Sequence, residues 1–241
     1  METIRPNEQR AKNAIVLIWI MLALEIASLI SGYFQYELLQ SAANGGEITT
    51  ERANANDLRE QIIGIIYLIA TIISGIMFIR WFRRAYYNLH QLVHGLQFSE
   101  GWAAGGWFVP ILSLFRPFQI MKELYQETRE LLVHRELSIY ERFSTTALGI
   151  WWALWVVNNI LGQVMFRYSM SAETIDELTT LTIINMAGNF IGIPLAVITV
   201  KVIKDYSEVE PLLAQVNNTE EEVGPGGDYL SAWPAAVETG S

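Results

Sequence analysis

Long apolar runs dominate the pattern of this chain: Asn13–Phe34, Ile62–Phe82, Ser144–Phe166 and Leu178–Ile203. Each can cross roughly 30 Å of hydrocarbon, which takes about 20 helical residues. They are continuously apolar rather than alternating, which rules out barrel strands. The pattern predicts an all-α integral membrane protein with four transmembrane helices. Arg5, Arg10 and Lys12 precede the first run, and Ser41–Ala43 resembles a cleavage site. The apolar stretch is longer than a signal-peptide core, so it reads as an uncleaved anchor.

The polar segments between the runs set the expected orientation. With the N-terminus inside, Arg5, Arg10, Lys12, Arg80, Arg83, Arg84, Arg116, Lys122, Arg129, Arg135, Arg142, Lys201 and Lys204 fall in the cytoplasm. Arg52, Arg59 and Arg167 fall outside. This bias is the positive-inside pattern and puts both termini in the cytoplasm. The external segments are then Gln35–Gln61, with a short polar helix from Thr49 to Glu60, and Arg167–Glu177. On the inner side the stripe Phe82, Tyr86, Leu89 and Val93 carries the second helix on to about Leu96. Gly101–Pro117 is apolar but broken by Gly105, Gly106 and Pro110, too short to span, and reads as a re-entrant or interfacial hairpin. From Pro117, a favoured first helical residue, an amphipathic helix is expected to about Leu137. Its Met121, Leu124, Thr128 and Leu131 face bilayer or protein, and Lys122, Glu123, Glu127 and Glu130 face water. Hairpin and helix together occupy 97–139. The expected organisation is a membrane domain over 1–204 and an acidic cytoplasmic tail over 205–241.

Composition agrees: 51% of the 241 residues are apolar. The net charge of −9 has much of its excess in the tail, while cations crowd the ends of the runs. No basic face is left for nucleic acid. The absence of cysteine excludes disulfides, thiolate chemistry and Cys-ligated metals.

Within the central stretch, Arg84-Ala85 with Asn88 leads to Gly106-Trp107-Phe108-Val109-Pro110. Leu114-x-Arg116-Pro117 and Ile120-Met121-x-Glu123-Leu124 follow. This order resembles a widespread bacterial membrane family known only as a domain of unknown function, with the signature W-F-x-P, then R-P, then a helix carrying M-x-E. The similarity spans about Ile62 to Lys204. A Ser-Pro usual before the first glycine-tryptophan stands here as Ser99-Glu100-Gly101-Trp102. The resemblance implies a multi-span protein of the bacterial inner membrane and brings no activity with it.

An ionisable residue inside a span is a functional candidate by default, and Glu25 lies near the middle of the first. At about 1.5 Å per residue it stands roughly 18 Å above the cytoplasmic boundary, with Asn158 and Asn159 at about 21–23 Å and Asn185 and Asn189 at about 14–20 Å. Glu25 shares a face with Ser28 and Gly32. Asn185 and Asn189 share one with Gly188, Gly192 and Ala196. Small residues four apart let helices approach closely. Spans one, three and four should therefore pack around a polar layer, with a second small-residue row, Ala23, Ala27 and Ser31, on another face. Glu25 then reads either as a proton or cation site or as a hydrogen-bonded tie between helices.

Other candidates are weaker. His90 and His94, four apart, lack a local carboxylate or cysteine and read as a wet pair rather than a metal site, with His134 elsewhere. The spans hold no histidine for haem. No metal and no cofactor is expected. Trp151, Trp152 and Trp155 could pack, or line a groove for a lipid, a quinone or a neighbouring subunit. Trp81, Tyr86, Tyr87, Trp102 and Trp107 read as interfacial anchors. Arg80, Arg83, Arg84 and Arg116 suit anionic lipid headgroups. Gly105-Gly106 lacks the lysine of a phosphate loop, and no nucleophile–base pair is present.

Glu208–Val216 fits a turn or two of amphipathic helix. Beyond Asn217 the composition is that of a disordered tail, in which Tyr229, Leu230 and Trp233 are the residues able to anchor on a partner. The favoured expectation is a non-enzymatic accessory, scaffold or assembly subunit beside other membrane proteins, in a respiratory or photosynthetic complex for instance. The second is a small transporter or channel centred on Glu25, with Asn158, Asn185 and Asn189 along its path. The third is a lipid-acting enzyme using Arg116, Glu123 and His134.

Overall fold

The computed structural model describes residues 4–134 and 145–223. All regular structure among them is helical. Helix α1 runs Glu8–Ala43, α2 Thr50–His90, α3 Trp102–Gly105, α4 Arg116–His134, α5 Thr146–Ser169 and α6 Ile175–Val223, with a 3-10 turn at Leu112–Leu114. Four of these, α1, α2, α5 and α6, are long and apolar enough to cross a membrane. That points to a multi-pass membrane protein. Within the bundle α1 packs along both α2 and α6, and α5 packs along α6.

Several boundaries differ from expectation. The polar helix expected over Thr49–Glu60 is not separate. Thr49 caps α2, its hydroxyl accepting the Arg52 N–H, and the helix runs unbroken through the apolar run. It stops at His90 rather than Leu96, and the turn beyond closes at Gly95 with φ +88°, a conformation glycine adopts without a Cβ clash. Likewise α6 absorbs the expected short helix at Glu208–Val216 and continues through Pro194 and Pro211 to Val223. A proline removes one helical N–H bond, and the packed neighbours of a long helix keep the rest of the ladder intact.

The buried core takes in only one end of each apolar run rather than its whole length. It gathers at one end of the bundle, here termed basal, where the first residues, the last turns of α2, α4 and the stretch of α6 after Val200 meet. Trp81, Phe82, Tyr86, Leu89, Met121, Leu124 and Tyr206 are all fully buried there. Trp81, Tyr86 and Tyr87, expected as interfacial anchors, are thus core residues. Each lies on the α2 face that α4, α6 or the N-terminal segment covers. Conversely, Ile65, Leu68, Ile69, Ile72 and Ile76 of α2 are about half exposed. Apolar side chains facing outward along a helix are what hydrocarbon solvent calls for.

Between α3 and α4 the chain makes a tight excursion. Pro110, Ile111 and Leu112 form a γ-turn, the Leu112 N–H donating to the Pro110 carbonyl at 2.8 Å while Ile111 sits at φ 68°. Positive φ on a β-branched residue is strained. The turn holds Phe108 and Ile111 outward, each 75% exposed.

Candidate functional site

Glu25 is buried, 5% exposed, although it sits in mid-helix on α1. Its Oε1 accepts the Tyr67 hydroxyl of α2 at 2.7 Å. Its Oε2 has no hydrogen-bond partner among the described residues. Gly192 of α6 lies against the carboxyl so tightly that a Cβ there would collide with it. The carboxyl is therefore clamped between a glycine on one side and a phenol on the other.

Two cavities adjoin this pair. The basal one, about 310 Å³, is lined by Glu25, Tyr67, Asn158, Asn159, Gly192 and Ala196, and closed toward the basal end by Phe78, Trp107, Trp151 and Trp155. The other, about 440 Å³, lies toward the distal end and is lined by Ser28, Glu60, Tyr67, Asn158, Asn185, Gly188 and Asn189 among others. Tyr67, Thr71 and Asn158 border both. The cavities occupy a cleft whose walls are α2 and α5 and whose floor is α1 and α6. Asn189 is 5% exposed and its Nδ2 lacks a partner among the described residues. The polar layer thus takes in α2 as well as spans one, three and four, because Tyr67 supplies the hydrogen bond that the asparagines do not. Tyr67 escaped the sequence reading. A lone phenol amid isoleucines looks like a packing residue unless its hydroxyl is asked for a partner.

Aromatic packing seals the basal end of the cleft. Trp107 stands edge-on to Phe78 at 5.7 Å and to Trp155 at 5.5 Å, and Trp152 stacks on Trp155 at 4.6 Å. Trp151 Nε1 donates to Thr199 Oγ1 at 3.1 Å, and Trp152 Nε1 to the Leu114 carbonyl at 3.1 Å. Of Trp151, Trp152 and Trp155, for which packing and a partner contact were both open, the first two bond their indole N–H groups to α6 and the α3–α4 segment, and Trp155 packs on Trp152 and Trp107 while lining the cavity with Trp151. Of the second small-residue row, Ala23 and Ala27 are exposed. Ser31 is buried at the distal end, where it accepts Arg59 Nε at 2.8 Å and donates to Glu60.

The arginines separate into two groups. Arg80 is exposed and Arg83 pairs with Glu100 at 3.0 Å. These two and Arg84 surround Arg10, whose pKa is lowered first by burial and then by their repulsion. Such a cation cluster suits an anionic headgroup. Arg116 stands apart, its guanidinium over the rings of Phe98 at 4.6 Å and Trp102 at 5.6 Å. Glu123, expected to face water, is buried. It accepts the Tyr86 hydroxyl at 2.6 Å and the Gln97 N–H at 2.5 Å, so its carboxyl ties α4 to α2 and to the turn beyond. His90 meets the Phe98 carbonyl at 3.0 Å and the edge of Tyr86, while His94 is exposed. Among the described residues no group of three potential metal ligands forms. Tyr229, Leu230, Trp233, Arg135 and Arg142 lie outside the described residues.

A second polar node stands in the basal core. Glu210 accepts Asn88 Nδ2 at 2.8 Å and Asn7 Nδ2 at 3.0 Å. Asn88 also pairs with the Arg5 backbone, accepting its N–H at 3.0 Å and donating to its carbonyl at 2.9 Å. One asparagine so joins the N-terminal segment, α2 and α6.

Residues 44–208 match the family model described as Domain of unknown function (DUF4328). The chain belongs to that family. No curated protein and no solved structure matched it. The DUF4328 match extends beyond the expected Ile62–Lys204 at both ends and includes Tyr67, Asn88, Asn158, Asn159, Asn185, Asn189 and Gly192. Glu25, Asn7 and Glu210 fall outside it. In this DUF4328 protein the matched part builds the cleft walls and most of α6, while α1 brings the acid.

Proposed function

We propose that this protein is a non-enzymatic, multi-pass protein of the bacterial inner membrane that binds and moves a small solute or ion at Glu25. The observation that carries the reading is the clamped carboxyl with one unpartnered oxygen, lining the basal cavity beside the Tyr67 that borders both cavities. The cation bias along the chain supports cytoplasmic termini, and hence a cytoplasmic basal end. On that orientation the aromatic seal closes the cleft toward the cytoplasm, and Phe108 and Ile111 dip into the inner leaflet as an interfacial hairpin. Because α2 and α5 do not pack along one another, we read the cleft as opening sideways between them, toward lipid.

The test is reconstitution into vesicles. With an imposed gradient the wild-type chain is expected to carry protons or cations, and E25Q to carry neither while remaining folded. Unchanged flux in E25Q would sink the proposal.

The accessory-subunit reading keeps one structural support, the exposed Ala23 and Ala27, which let another helix approach closely. It predicts copurification with stoichiometric membrane partners in mild detergent, checked by mass spectrometry.

A further inference from the structure

We infer that the cleft is a binding site for lipophilic organic cations, which deepens the transport reading and rests on it. Glu25 is the only acid, base or histidine in residues 13–34, 62–79, 145–166 and 178–200. No cation of the chain's own therefore stands within the apolar stretches to neutralise the carboxylate. An anionic ligand would meet that charge with only neutral amides to offset it.

A small hard cation is also a poor fit. Calcium-like or magnesium-like ions demand about six or more oxygen ligands, and the carboxyl here has only Oε2 unclaimed. A bulky cation with delocalised charge has weaker demands, because it gives up little hydration on leaving water. The basal cavity offers it what it needs: one carboxylate oxygen and the rings of Phe78, Trp107, Trp151 and Trp155. Aromatic faces attract cations, the more so when water is excluded. The volume of about 310 Å³ sits at the low end of the range of about 300–1,000 Å³ found for small-molecule pockets, and the adjoining cavity extends it. Access from the lipid side selects for ligands that partition into hydrocarbon. One acid in the basal cavity, an aromatic wall and a lipid-facing mouth together specify a greasy monocation, the Glu60 of the adjoining cavity being already paired with Arg59 and Ser31.

The experiment uses the full chain in detergent micelles with tritiated tetraphenylphosphonium as probe. Expected are saturable binding, at least about tenfold weaker binding in E25Q, equivalent to about 1.4 kcal/mol, and retention in E25D. Tetraphenylborate, an anion of the same shape, is expected not to compete. A second measurement needs no variant: tetraphenylphosphonium should protect Glu25 of the wild-type chain from dicyclohexylcarbodiimide. Equal competition by the anion, or lack of protection while the carbodiimide still reaches Glu25, overturns the cation assignment and leaves the transport reading standing. If the carbodiimide modifies Glu25 only after denaturation, the carboxyl is not an accessible site and both fall.

Discussion

At the scale of single residues, two placements have measurable consequences. Gly192 is needed because Glu25 occupies the space of its missing Cβ. G192A should push the carboxyl off Tyr67 and change its carbodiimide labelling rate several-fold, with the helical content by circular dichroism unchanged. Glu210 gives a pH signature. Its pKa is pushed up to about 7 by burial, against the pull of the Asn88 and Asn7 amides and of Arg84. The folded chain then keeps this proton at pH values where the unfolded chain, at the ordinary 4.5, has released it. Stability should fall as pH rises from about 4.5 to about 7, by up to about 1.4 kcal/mol per unit, then level off. Unfolding temperatures in detergent at pH 5, 6 and 7.5 check this, and E210Q should flatten the profile. Glu25 was legible from the sequence because a charge inside an apolar run stands out alone. Tyr67 and Glu123 were not, since what distinguishes them is a hydrogen bond to a residue 42 or 37 positions away.

Helices are the next scale, and here the apolar runs located all four long elements. Their ends were harder to read. The run lengths mark hydrocarbon, whereas α2 and α6 continue as single rods into the basal core, where polar residues are buried against protein and hydropathy no longer reports the helix. Asn88 fastens these rods to the N-terminal segment. N88A leaves the Glu210 carboxyl short of a donor and the Arg5 backbone short of both partners, so about 2–4 kcal/mol should be lost, read as a lower melting temperature. The α3–α4 excursion makes a different prediction. If Phe108 and Ile111 enter the bilayer, a spin label at F108C should be relaxed by a lipid-soluble quencher and not by an aqueous one. The reverse result would put the turn in water.

For the whole molecule, the sequence supports fold class and span number and leaves the burial pattern open. The tryptophans of α5 could equally have faced a partner or the interior, because periodicity alone does not say which helix lies opposite. Orientation is a property at this scale as well. The chain has no cysteine, so single substitutions report sidedness without background. V133C should react with an impermeant maleimide only in inside-out vesicles, and E47C only in right-side-out ones.

The gap between α2 and α5 has a practical corollary. On the proposed reading, whatever settles beside Glu25 first dissolves in the bilayer, so occupancy should follow its mole fraction among the lipids rather than its aqueous concentration. Diluting the protein with more phospholipid at fixed total compound should empty the groove, and greasier analogues should look tighter than their fit alone would make them.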